Sequence, residues 1–539
     1  MQQQPTDEME TLRRAAEAGD VVAQYDLALC YDIGDGVEQD FTQSVHWLLR
    51  AAEQGYVPAQ FNLGCAYWDG EGVTQDFAQA VVWWRRSAES GDVNAQFNLA
   101  LCYDVGKGVE QDYAQSAEWY CKAAEQGHVK AQYELGYCYH FGYGVEQDDA
   151  LAAQWYRRAA EGGNAEAQYQ LARFHGSGKG VPQDYAMSVQ WCTKAVEQGH
   201  TEAQSWLGCL YDAGLGVPEN PAEAARLHLA AAEGGNAFSA LNLAQMYIDG
   251  RGVTQDASVA VRWYRVAAEK DNPDACCGLG ICYLYGQGVD RDFVHSAYWL
   301  QKAADMGDAL ACYHLGEMYA LGKGVPVDAA QAAIYYRKAA EQGDAPAQME
   351  LALALVVGNG VEEDEYEAFS WMQSAAEGGS VIALYNLGLM YERGVGCEVD
   401  EAEALNYFLR AVEQKCADAQ WRLGKAYENA ELGLMKNMDE AFRCYSLAAE
   451  QGNHAAEYAL CVMYVQGEPV EWNPCLAAEW CRKAAEGGYA HAQYFMGYLY
   501  TQGLGVGKNL SLARDWLNKA IDAGHAPAQE ALAELERML

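Results

Sequence analysis

Three residue types in this 539-residue chain are numerous enough to carry chemistry: 17 cysteines, 11 histidines and 76 acidic residues. Histidines and cysteines at close spacing would hold zinc, a serine or cysteine beside a base would make a nucleophile, and glycine-rich turns would cradle phosphate. None of these constellations assembles. His-Glu-x-x-His does not occur, and Cys276-Cys277 with Cys282 lacks a zinc-ligand partner set. His128, His200 and His525 occupy one position after a turn glycine, where Asp20, Asp92 and Asn164 stand elsewhere, so a helix start accounts for them. Gly-x-Gly recurs in register twelve times, from Gly34/Gly36 to Gly503/Gly505. No strand precedes these glycines and no third glycine follows at the dinucleotide spacing, so they read as inter-helix turns. No Ser-x-x-Lys is present. No catalytic residue, metal site or cofactor is assigned.

These residues are positioned by a 36-residue period. The phrase Ala-Ala-Glu-x-Gly ends at Gly19, Gly55, Gly91, Gly127 and onward to Gly524, with Asp271 and Lys415 in two of the glycine positions. One extra residue falls near Ala430–Lys436. Fourteen full intervals result, with a half unit at each end. A fixed period of this size means stacked supersecondary units rather than separate globules.

Asp92–Gly127 illustrates one unit. Ala95, Leu99, Ala100 and Tyr103 recur at helical spacing behind a candidate N-cap, Asp92. Gly106-Lys107-Gly108 ends that helix, because glycine accepts the left-handed conformation a C-cap needs. Asp112, with Gln115 three residues on, opens a second helix carrying Trp119, Tyr120, Ala123 and Ala124. The position after the first helix's leucine is restricted to Gly, Ala or Cys (Gly64, Ala100, Gly136, Cys461), which implies two closely crossing backbones. The expected large partner is the tryptophan position of the second helix, such as Trp83, Trp119 and Trp155. The cysteines keep phase as well: Cys30, Cys102, Cys138 and Cys282 share one position, Cys192 and Cys481 another. They read as reduced, small apolar core residues.

The recurring pattern Ala-x-x-x-Leu-Gly-x-x-Tyr-x-x-Gly-x-Gly-Val-x-x-Asp-x-x-x-Ala-x-x-Trp-Tyr-x-x-Ala-Ala-x-x-Gly resembles the Sel-one-like repeat (SLR), a tetratricopeptide-related α/α solenoid. Ala131, Leu135, Gly136, Tyr139, Gly142, Gly144, Val145, Asp148, Trp155, Tyr156, Ala159, Ala160 and Gly163 carry it, and the resemblance spans about Glu10 to Leu539. It implies an all-α, right-handed superhelical solenoid of about fourteen helix–turn–helix repeats with a concave, partner-binding groove. Members look like adaptors and scaffolds. Some are associated with β-lactam hydrolysis, which the missing Ser-x-x-Lys does not support here. Some are stapled by a helix-to-helix disulfide, but no cysteine stands in the Ala-Ala-Glu position of this chain.

The expected organisation is a polar segment and capping half-repeat over 1–19, a continuous array over 20–524, and a capping helix over 525–539. Net charge is −40, from 76 acidic and 36 basic residues. That opposes nucleic-acid binding and favours a protein or peptide partner of basic character. Residues 1–20 show no apolar signal core, and the longest apolar stretch, Leu351–Val357, is too short to insert in a membrane. A cytoplasmic protein is expected, with signal-less secretion as the alternative.

On the first helix of each unit the positions of Asp26, Leu29 and Ile33 vary freely, which marks a solvent-facing stripe. Aromatic and arginine side chains on it are candidate partner anchors: Tyr137, Phe141, Arg173, Trp206, Tyr285, His314, Phe495 and Tyr498. The first four are expected to form one cluster across three units. The irregular loops 431–437 and 467–474 are second candidates. A non-enzymatic adaptor is the leading expectation. A hydrolase and a bacterial effector that binds host proteins are the alternatives.

Overall fold

The computed structural model describes residues 7–538. The first six residues of the polar start, and Leu539 at the end of the capping helix, lie outside the described residues. A lone helix, Asp7–Glu17, comes first. Fourteen A/B helix pairs follow, from Val21–Ile33 with Phe41–Glu53 to Ala490–Gln502 with Leu510–Asp522. A lone helix, Pro527–Met538, closes the chain. Among the described residues there is no strand. The chain divides into two compact units, Met1–Lys270 and Asp271–Leu539. Within each, helix A packs on helix B of its own pair, and helix B packs on helix A of the next. This nearest-neighbour packing is the α-solenoid arrangement expected from the period.

Local chemistry ends each helix where the sequence says it should. Asp92 accepts from the Ala95 amide at 2.7 Å, and Asp112 from the Ala114 and Gln115 amides. His128 and His200 are N-caps too, their Nδ1 atoms accepting from Ala131 and Ala203. Gly106 closes helix A with φ 69°. Asp271 and Lys415, in two of the glycine positions, are held at φ 57° and 62°. The second turn glycine is fixed by packing as well as by φ. A Cβ at Gly144 would fall inside the Tyr113 carbonyl group, and one at Gly180 inside that of Asp149.

The small helix-A position does face a large residue, but not the expected one. A Cβ at Gly136 would lie 2.8 Å from the Tyr156 ring, one at Gly388 2.5 Å from Phe408, and one at Gly316 2.5 Å from Tyr336. These partners stand one residue after the tryptophan position, because helix B turns by about 100° per residue. The tryptophans point beside this contact. Most of their rings are covered instead by a Lys or Arg three residues on, such as Arg86 over Trp83 at 4.5 Å, Lys122 over Trp119 at 3.8 Å and Lys483 over Trp480 at 3.9 Å. Each cation also sits in the last turn of its helix, where the dipole favours it.

Pairs are fastened to one another by a buried glutamine. Gln96 donates to the Ala88 carbonyl at 3.1 Å, and its own Oε1 accepts from Gln126 at 2.7 Å. Gln24 with Gln54 and Gln168 with Gln198 repeat this clasp, and Gln420 accepts from Gln451 in the same way. None of the seventeen cysteines stands in a disulfide.

Candidate partner-binding surface

One cleft recurs in the same register along the helix-A face. It lies between consecutive pairs, walled by helix A and the start of helix B of one pair, and by helix A and the following turn of the next. In the first unit Leu29, Asp32, Ser44, Asn62, Asp69 and Glu71 line a cleft of about 170 Å³. In the second unit Ala320, Ala332, Tyr336, Glu350, Leu353 and Val357 line one of about 240 Å³. Positions 32, 62, 69 and 71 correspond to 320, 350, 357 and 359, a constant offset of eight periods of 36 residues. The backbone therefore repeats the cleft while the side chains change its character, from acidic to apolar. A third instance holds Leu284, Tyr285, Phe293, Glu317 and Lys323.

At the corresponding place between Val93–Val105 and Val129–Phe141 the cleft is aromatic and acidic. Tyr137 packs on Phe141 with ring centroids 4.5 Å apart. Tyr143, from the turn, stacks on Phe141 at 5.9 Å and on Tyr113 at 5.4 Å. Asp104 and Glu134 stand at the positions of Asp32 and Asn62, and their charges act on Tyr137. Burial raises the Asp104 pKa. Glu134 is pushed up to about 7, first by burial and then by the charges of Asp104 and Glu166. The hydroxyls of Tyr120 and Tyr156 are buried in the same neighbourhood and make no hydrogen bond of normal geometry; Ser116 alone approaches Tyr120.

Of the four candidates expected in one cluster, only Tyr137 and Phe141 pack on each other, both exposed. Arg173 lies instead over the Tyr169 ring at 5.8 Å. Trp206 is half-buried in a niche left by Gly176, donating from Nε1 to Ser188 at 3.2 Å, so its surface is mostly spent on packing. In the second unit Tyr285 is exposed and meets His314 edge-on at 6.3 Å. His314 itself is buried and hydrogen-bonded to Glu317 at 2.9 Å, against the expectation that its position faces solvent. Phe495 and Tyr498 stack at 5.5 Å.

Several surface residues escaped the sequence reading. Tyr113 and Tyr143 lie off the helix-A stripe and join it only through the turn. Leu321 and Val357 share the Ile33 position with Tyr285, are 59% and 69% exposed, and extend an apolar edge over three consecutive pairs. Their signal is present in the sequence, since that position is apolar in these neighbouring units, but an aliphatic side chain there does not stand out from core residues as an aromatic or arginine does. In the loop 431–437, Leu432 is buried in one cluster with Phe408 and Glu431 pairs with Arg422 at 2.8 Å, whereas Met435 is exposed. In the loop 467–474, Trp472 is exposed.

Among the described residues no group of three or more His, Cys, Asp and Glu is arranged to hold a metal ion. One histidine–serine pair, His228 Nδ1 and Ser239 Oγ 3.2 Å apart, is sealed in the core, and burial lowers His228 to about 4. Among the described residues no helix is long and apolar enough to cross a membrane.

Fourteen consecutive stretches, from 21–56 to 490–525, match the family model described as Sel1 repeat. The stretch 417–453 is one residue longer than most and contains the extra residue. The chain is 32% identical to c5321, a protective antigen of uropathogenic Escherichia coli strains displaying an SLR fold. That match has a TM-score of 0.69 over 90% of this chain and 97% of the other. It is 34% identical to a Sel1 repeat protein of Oxalobacter formigenes, with a TM-score of 0.47 over 57% of this chain and 89% of that one. No curated protein matches.

Proposed function

Because the chain belongs to the Sel1-repeat family, we propose that it is a non-enzymatic scaffold that holds partner proteins along its helix-A face. The observation that carries this is the recurring cleft: one backbone geometry, lined by carboxylates in one place and by Leu353 and Val357 in another. In the second unit two such clefts follow one another, one holding Phe293, Glu317 and Lys323 and the next Leu353 and Val357, which suits successive side chains of an extended segment or a folded surface. The net charge of −40 favours a basic partner by steering its approach. The free thiols support work in a reducing compartment, and we place the protein in the cytoplasm.

The hydrolase alternative finds no support at the clefts. Among the described residues, the histidine–serine pair His228–Ser239 is inaccessible, and a nucleophile must reach its substrate.

Crosslinking and mass spectrometry on the intact chain should recover a stoichiometric partner bridged to the helix-A face. Phe141→Ser together with Val357→Asp should weaken its capture at least about tenfold, with helicity by circular dichroism unchanged. Undiminished capture by the double variant would remove the helix-A face from the mechanism.

A further inference from the structure

The turn residue that closes each cleft alternates. Lys107, Lys179 and Arg251 follow one another at intervals of 72 residues, two periods, in the first unit. Each lies on the wall of its own cleft. Lys107 Nζ stands 4.4 Å from the Trp68 ring and 4.0 Å from Phe77. Lys179 Nζ is 3.6 Å from Asp149, and Arg251 reaches Asp212 at 3.3 Å. The intervening turn positions hold Glu71, Tyr143 and Leu215, none of them cationic. The turn position therefore supplies a cation to alternate clefts of the first unit.

Asp104 and Glu134 fall in one of the clefts without a cation. Neither makes an ion pair, whereas nearby Glu166 is taken by His200 at 2.8 Å. The groups facing Glu134 come from every element packed around it: Asp104 and Tyr120 from the preceding pair, Tyr133, Tyr137 and Cys138 from its own helix, Tyr156 from helix B, and Glu166 from the next pair. None of these is basic. Tyr120 is 1% exposed and its hydroxyl, under the field of Glu134 and Asp104, lacks a partner of normal geometry.

We propose that the cleft walled by Asp104, Glu134 and Tyr137 receives the ammonium or guanidinium group of a lysine or arginine side chain on the partner protein. This rests on the helix-A face being a protein-binding surface. The two carboxylates accept from the cation's N–H groups, and the Tyr120 hydroxyl oxygen is a third acceptor. The exposed Tyr137 and Phe141 rings flank its alkyl stem, as Trp68 and Phe77 flank Lys107 one pair earlier. The partner's cation occupies the role that Lys107, Lys179 and Arg251 fill in the alternate clefts.

The test uses the intact chain, N-acetyl-arginine methylamide as probe and its neutral citrulline analogue as control, followed through the side-chain carboxyl resonance of Glu134. Saturable binding of the arginine probe alone is expected. Glu134→Gln should weaken it about tenfold or more. Glu110→Gln, on an exposed turn, should change it by less than about twofold. Glutamine already stands at the Glu134 position in the next pair, as Gln170, so the variant folds. Affinity should rise about tenfold from pH 6 to pH 8 as Glu134 ionises near 7. Equal loss in both variants, equal binding of the citrulline analogue, or affinity independent of pH would overturn the proposal. Partner capture through the second unit without probe binding sinks this site and spares the scaffold; probe binding without any partner does the reverse. Failure of the inference and failure of the scaffold reading are thereby distinguishable.

Discussion

Asn62, Asn98 and Glu134 occupy the same helix-A position in three successive pairs, and the carboxylate is the costly choice. Its folded pKa, about 7, lies above the usual carboxylate value, so the unfolded chain ionises first as pH rises. Stability is therefore lost between about pH 4.5 and pH 7 and stays low above that range. Glu134→Gln should stabilise its pair by about 1–2 kcal/mol at pH 8 and by almost nothing at pH 4. Denaturant titrations at the two pH values measure this, and a gain of the same size at both would contradict the assigned burial. The glutamine clasp gives a second residue-scale expectation. Gln60 is bonded to Ala52, but its Oε1 is orphaned, because the residue 30 positions on is Ser90 where Gln126 or Gln198 stands elsewhere. Ser90→Gln should supply the missing donor and stabilise by about 1 kcal/mol. No gain in a denaturant midpoint would show that the clasp is not what fastens pairs.

At the scale of the element, the turn between helices A and B does two jobs with two glycines. Gly142 at φ 76° closes the helix, and Gly144 lets the turn rest on the Tyr113 peptide of the preceding pair. Gly127 has a left-handed φ of 90° too, but open space around it. Gly127→Ala should thus cost only the conformational penalty, about 1 kcal/mol. Gly144→Ala adds a backbone clash and should cost about 3 kcal/mol or more. Chemical denaturation of the two variants separates them, and equal losses would mean the close approach is not maintained in solution. The tolerance of Asp271 and Lys415 fits the same logic, since each is a glycine position of the open kind.

For the molecule as a whole, nearest-neighbour packing makes damage local. Hydrogen exchange in Gly144→Ala should lose protection in the flanking helices Tyr113–Glu125, Val129–Phe141 and Asp149–Glu161. Protection in Ala309–Leu321 and the helices beyond it should not change. A uniform loss along the chain would show cooperativity that the packing does not provide. The same locality frees each cleft to vary its lining without disturbing the next, which is how one repeat yields acidic clefts at Asp32 and apolar ones at Leu353.

The period, the helix pairs, their caps and their turns were all legible in the sequence, because each depends on contacts within a few residues: Asp92 to Ala95, Gly106 to Cys102. The apolar rhythm also named the core correctly at Leu27, Leu63 and Leu99. What the sequence could not decide was which side chains meet across pairs. It chose the tryptophan position as the large partner of Gly136 when Tyr156 fills that place, it gathered Trp206 with Phe141, and it left His314 facing solvent. Those outcomes depend on the angle at which two helices cross and on the turn that brings Tyr143 over Phe141, distances set by neighbours 20 to 40 positions away. The clefts belong to that second class, because each is the space between helices that only packing brings together.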